Sequence, residues 1–185
     1  MMIDHVAVAI GHHPDAPGAA LQVGDHTTHE YDLWQPFARV FRTLLQRKGI
    51  DVSVLQRPAP EAIREVAEVA NKAQADVAIE LHYNAAENSD AVGSECVHWP
   101  DAGRASHVGR VLAASASDTL GTPNRGVKPM RLPFLGATKM PAIITEPAFG
   151  SNESDAWKLL NGQMKLAHNW AQRLARIDAH DQQAT

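Results

Sequence analysis

Ala75-Asp76-Val77-Ala78-Ile79-Glu80-Leu81-His82-Tyr83-Asn84-Ala85 is the stretch that decides how this chain is read. Val77, Ile79 and Leu81 alternate with Ala78, Glu80 and His82. That is the period-2 pattern of a short buried strand, and Tyr83-Asn84 then begins a loop. Alternate residues on a strand share a face, so Glu80 and His82 point the same way near its C-terminal end. Open α/β sheets place ligands just outside that end. His82 is therefore a candidate site residue. On this stretch alone, a histidine satisfied by a backbone carbonyl is the simpler reading.

Working outward, the chain alternates strands and helices. Val6–Ile10 is a short apolar run, ended by the Gly- and Pro-bearing loop Gly11-His12-His13-Pro14-Asp15-Ala16-Pro17-Gly18. Thr27 and Thr28 precede Glu30, where a helix starts. Leu33, Phe37, Val40, Phe41, Leu44 and Leu45 follow at helical spacing up to Lys48-Gly49. Pro36 should kink that helix or mark where its regular part begins. Val52–Leu55 reads as a second strand, and Pro60 opens a helix carrying Ile63, Val66, Ala67 and Ala70. After His82 come a strand over Glu95–Trp99 and a helix from Ala102 to Leu120, closed by Gly121. Residues 121–140 read as a long connection with one short strand near Met130–Leu132. Ala142–Glu146 is a last buried strand, with Pro147 holding Glu146 extended. Ser151 or Asn152 caps a final helix that turns Trp157, Leu160, Met164, Ala167, Trp170 and Leu174 inward. The expected fold is a single α/β domain over residues 1–176, with a central twisted, mostly parallel sheet and helices on both faces, followed by a polar tail at 177–185.

Composition narrows the function classes. The 185 residues carry a net charge of -4 with no long basic run, which argues against nucleic acid as partner. No segment is long and apolar enough to span a bilayer, and none is basic and apolar in the manner of a secretory signal. Cys96 is the one cysteine, so no disulfide forms within the chain, and it reads as a small packing residue. Nothing in the sequence indicates an oligomeric state.

Four chemistry-bearing residues share a context. His12 follows the first strand, Glu30 opens the first long helix, His82 ends the third strand and Glu146 ends the last. Two histidines and a carboxylate can hold Zn²⁺ and leave a position for water, and a second carboxylate can take that water's proton. Ten histidines and 21 acids offer such sets by chance, so the pattern alone does not decide.

Taken in order, four segments resemble the Amidase_3 family of zinc-dependent N-acetylmuramoyl-L-alanine amidases. They are Gly11-His12 after an apolar strand, Glu30 leading into the helix that ends at Gly49, Ala75-Asp76 through His82-Tyr83-Asn84-Ala85, and Met140-Pro141-Ala142-Ile143-Ile144-Thr145-Glu146 with Ser151-Asn152. The resemblance implies one zinc per chain on His12, Glu30 and His82, Glu146 as the catalytic glutamate, and peptidoglycan as substrate. It implies cleavage of the amide between the lactyl group of N-acetylmuramic acid and L-alanine. The departures are His13-Pro14 where the family has glycines, and Glu80 where it has a small residue. His13 is a competing ligand or a donor behind the ligands, and Glu80 orients a ligand or is a solvated edge carboxylate. No occluding helical insertion and no appended wall-binding module is visible. The setting expected is a phage or prophage lysin, made in the cytoplasm and acting on the wall after release. The alternatives are a zinc carboxypeptidase-like enzyme acting on stem peptides and a non-catalytic wall-binding module. Arg125 and Lys128 are either contacts for stem-peptide carboxylates or solvated cations. Trp99 is read as packing, and His98, His107, His168 and His180 as surface or helix-face residues.

Overall fold

The computed structural model describes residues 2–100 and 102–177. Its core is a six-stranded sheet built from β1 (His5–Ile10), β4 (Asp51–Leu55), β5 (Val77–Leu81), β6 (Ser94–His98), β7 (Asn124–Pro129) and β8 (Ala142–Glu146). The strand order is β4-β1-β5-β8-β6-β7. Neighbours run parallel except β6 against β8, which is antiparallel. The C-terminal ends of β1, β5 and β8 and the N-terminal ends of β6 and β7 thus meet along one edge of the sheet.

Helices cover both faces, as the alternating sequence implied. On one face lie α1 (Glu30–Gln46), α3 (Gly103–Leu120) and α5 (Glu153–Leu174). There Trp34, Phe41, Leu112 and Trp170 pack on Val8, Ile79, Leu81 and Ile143 in the larger core. On the other face α2 (Ile63–Ala73) and the short α4 (Pro133–Ala137) bury Val66, Ala67, Phe134 and Leu135 against Ala7, Ala9, Ala78 and Ile144. Small strand residues on this second face let its helices approach closely. All five residues of β5 are buried, as expected of a strand covered on both sides. The charged Glu80 belongs to the second face, with Ala78.

Several expectations are corrected. The polar stretch before Glu30 forms a hairpin, β2 (Ala20–Val23) with β3 (His26–His29), turning at Gly24 in the left-handed region. Its strands lack an apolar alternation because the hairpin lies outside the main sheet, with only Leu21 fully buried. Helix α1 runs on through Pro36, which is exposed, so the carbonyl that loses its donor can face water. The 121–140 connection contains β7, earlier than the strand expected near 130–132, and α4. Along α5, Ala156, Leu159, Leu166, Ala167, Trp170, Ala171 and Leu174 form the buried stripe, while Trp157 and Met164 are exposed. Small alanines set the phase of that helix, and side-chain size misled the reading. His98 is buried, its Nδ1 hydrogen-bonded to the Trp99 carbonyl at 2.7 Å. Ile177 joins the larger core; the rest of the expected tail, and with it His180, lies outside the described residues.

Candidate metal centre and active site

Three of the four expected residues converge at the sheet edge. His12 leaves β1 with φ at +67°, an uncommon conformation for a residue with a side chain. Its ring lies beneath Gly18, where an added Cβ would stand 2.6 Å from it. Gly11 is required by close approach: a Cβ there would lie 2.3 Å from the Leu81 carbonyl oxygen and 2.7 Å from the His82 ring. The Gly-His pair therefore lets the β1 loop pass over β5 and brings two imidazoles together, with ring centroids 4.9 Å apart.

Glu30 lies between them. It is the first residue of α1, where the helix dipole favours a carboxylate. Oε1 is 3.1 Å from His12 Nε2 and accepts the Ala19 N–H at 3.2 Å. Oε2 is 3.0 Å from His82 Nδ1 and accepts the Tyr83 N–H at 3.2 Å. The Tyr83 hydroxyl in turn donates to the Ala19 carbonyl at 2.6 Å, tying the hairpin to β5. Burial pushes the Glu30 carboxyl up, but the two histidines outweigh it and hold it at about 2.

Behind His82 stands a second carboxylate. His82 Nε2 is 3.5 Å from Glu80 Oε2, and Glu80 Oε1 accepts from Arg57 Nη2 at 2.9 Å. Burial alone would depress the His82 imidazolium, yet Glu80 and Glu30 on either side raise it to about 10. Glu80 itself is lowered, its burial outweighed by His82 and Arg57. Arg57 escaped the sequence reading. The available signal was its place just beyond the end of β4. His13 turns away from this cluster, its Nδ1 accepting the Asp15 N–H at 3.2 Å.

Glu146 stands on the next strand. Leu81 and Thr145 are register partners of β5 and β8, and the His82 N–H continues that ladder to the Thr145 carbonyl at 3.1 Å. His82 and Glu146 are thus neighbours on one face, together lining a cavity of about 170 Å³ with Arg57, Glu80, Ile144 and Phe134. Glu146 Oε2 is buried with no hydrogen-bond partner among the described residues. Burial raises its carboxyl to about 8, assisted by the charges of Glu30, Glu95 and Glu80 against that of His82.

His12, Glu30 and His82 offer donor atoms all within 4.8 Å of one another, a group able to hold a metal ion. The donor types, two imidazoles and a carboxylate, suit zinc. Bonds of about 2.0–2.1 Å in a tetrahedron separate ligand atoms by roughly 3.3 Å, and the two histidines already stand 3.1 and 3.0 Å from the Glu30 carboxylate, one on each oxygen.

Residues 6–176 match the Amidase_3 model, N-acetylmuramoyl-L-alanine amidase. The chain belongs to that family. The amidase LytC of Bacillus subtilis is 33% identical over 100 residues, which is 53% of this chain and 20% of LytC. Among solved structures, the N-acetylmuramoyl-L-alanine amidase of Clostridium difficile 630 superposes with a TM-score of 0.79 at 23% identity, covering 94% of this chain and 95% of that one. The catalytic domain of the CD27L endolysin, targeting Clostridia difficile, gives 0.76 at 21% identity, over 92% and 96%. These two likenesses confirm the fold expected of an Amidase_3 domain.

Proposed function

We propose that this Amidase_3 domain hydrolyses the amide joining N-acetylmuramic acid to L-alanine in peptidoglycan, with one zinc ion on His12, Glu30 and His82. The observation that carries the reading is the metal-competent His12–Glu30–His82 group beside Glu146 on the adjoining strand, whose Oε2 has no partner among the described residues. Zinc held there would polarise the scissile carbonyl and lower the pKa of a water from 15.7 towards about 7.

The chain's own residues supply the rest. Glu146, ionised, takes the proton of the attacking water and returns it to the leaving alanine nitrogen. Its carboxylate is free to do so because no donor among the described residues engages Oε2. Arg57 and Glu80 hold the far side of the His82 ring, so that Nδ1 keeps facing Glu30. Ile144 and Phe134 form an apolar wall of the cavity that Glu146 lines.

Purified sacculi test this directly. Digestion should expose new L-alanine amino termini without new reducing sugars, and a chelator should stop it. Cuts inside the stem peptide would instead favour the peptidase reading, and inert protein with zinc bound would favour a binding module. A lysin role belongs to the same proposal, supported by the similarity to an endolysin catalytic domain. Cytoplasmic expression together with a holin should then lyse cells, whereas expression alone should not.

A further inference from the structure

One strand beyond Glu146 lies a second charged cluster that the chemistry above does not use. Glu95 of β6 and Glu146 of β8 are directly opposed register partners, so their side chains share a face. Glu95 is buried, at 5% exposure, and three donors converge on it. Asn84 Nδ2, from the loop just after His82, donates to Oε1 at 2.9 Å. Arg125 Nε and Lys128 Nζ both donate to Oε2, at 2.5 and 2.6 Å.

Two cations on one carboxylate leave a surplus positive charge. Both cations are also partly open, with side chains 37% and 42% exposed. Arg125 spends a further donor, Nη1, on the Val92 carbonyl, and its guanidinium lies 5.0 Å over the Phe149 ring. Its Nη2 and the remaining ammonium hydrogens of Lys128 have no partner among the described residues. Burial alone would raise Glu95, but Lys128 and Arg125 keep it lowered and therefore ionised. The cluster is thus held in place from beneath by a fixed charge, with unused donors facing outward.

We infer that Arg125 and Lys128 bind the α-carboxylate of the second stem-peptide residue, the glutamate that follows L-alanine. The inference rests on the amidase reading and follows from the order of groups along the sheet edge. The leaving alanine nitrogen must meet Glu146 to be protonated. The peptide therefore extends from β8, and on its β6 side it meets cations. Adjacent strands are spaced about 4.8 Å apart, and the long side chains of β7 reach back over β6 to Glu95. One residue of chain spans about 3.8 Å, so the carboxylate one residue beyond L-alanine falls within their reach. A planar, stacked guanidinium beside a point-charge ammonium suits a carboxylate and does not suit an amide.

The test compares two muramyl dipeptides, N-acetylmuramoyl-L-alanyl-D-glutamate and its α-amide. Neither has a third residue, so any preference must arise at the second. The wild type should favour the carboxylate by roughly tenfold or more in kcat/KM, carried by KM, the scale of charge-assisted hydrogen bonds. In Arg125→Met with Lys128→Met the ratio should fall towards one, whereas Arg125→Lys and Lys128→Arg should keep most of it. A cluster that only braces β6 against β7 would change melting temperature without changing this ratio. A wild type that cleaves both peptides equally would overturn the inference and leave the amidase reading standing. Cleavage of neither peptide, nor of sacculi, would overturn both.

Discussion

Arg57 Nη2 meets Glu80 Oε1 at 2.9 Å, and the two side chains are only 8% and 3% exposed. A buried ion pair is weak evidence for stability, because desolvation offsets attraction. Breaking one partner is another matter, since it leaves an unpaired charge at a cost of about 3–5 kcal/mol. Arg57→Met should therefore lower the melting temperature by several degrees. It should also weaken zinc binding about 10–100-fold, because Glu80 would no longer be fixed behind His82. Thermal melts and zinc competition against a chromogenic chelator measure both. Wild-type zinc affinity in this variant would show that the pair braces the sheet only.

Zinc binding should release a proton. In the metal-free protein His82 is raised from 6.5 to about 10, so it is an imidazolium at neutral pH. Its pairing with Glu80 and Glu30 stabilises the metal-free fold fully below pH 6.5 and is lost as pH rises through about 10. A ligand imidazole must be neutral, so the ion has to displace that proton. Apparent affinity should rise roughly tenfold per pH unit between 8 and 9. Calorimetry in two buffers of different ionisation enthalpy at pH 9, where Glu146 is already ionised, should count about one proton released. A pH-independent affinity would mean that His82 is already neutral.

Gly11→Ala tests the crossing of the β1 loop over β5. The new Cβ would meet a backbone carbonyl at 2.3 Å, which a side-chain rotation cannot relieve. The loop must shift and carry His12 with it. We expect a loss of about 1–3 kcal/mol in stability, the scale of overpacking, and zinc stoichiometry well below one. Normal zinc content in a folded variant would place the flexibility elsewhere.

Much of the site was legible in the chain because its residues stand at the ends of strongly patterned elements. Val77–Leu81, by its alternation, and Ala142–Glu146, by its apolar run before Pro147, are strands bounded as read, and their ends deliver His82 and Glu146. Glu30 was legible as a helix start. Arg57, Asn84 and Glu95 were not singled out, because what joins them to the site is register between strands distant in sequence. Nothing near Glu95 in the chain reveals that it opposes Glu146 or that Arg125 and Lys128 fold back onto it. The β2–β3 hairpin was missed because its strands, with little core to face, show no apolar alternation. The inward face of α5 was misread for the converse reason, since Ala156, Ala167 and Ala171 lie inside and Trp157 outside.

Glu146→Gln separates chemistry from architecture. Burial holds the metal-free carboxyl at about 8 instead of 4.5, so its ionisation costs stability that is absent below pH 4.5 and grows until about pH 8. Glutamine cannot ionise, so the metal-free variant should melt higher than wild type at pH 8 and not at pH 4. The gain should be on the order of ten degrees, at roughly 2–4 °C per kcal/mol for a chain of this size. The neighbouring Zn²⁺ works in the opposite sense, favouring the carboxylate, so the gap should narrow when zinc is added. Sacculus hydrolysis should fall by roughly 10²-fold or more, the scale of a lost general base, with zinc content unchanged. Were Glu146 instead a partner of Arg125 or Lys128, the substitution would lower stability and spare activity. The geometry argues against that, because both cations are engaged by Glu95 while Glu146 Oε2 has no partner among the described residues. A stable, zinc-loaded variant with near-normal hydrolysis would end the general-base assignment.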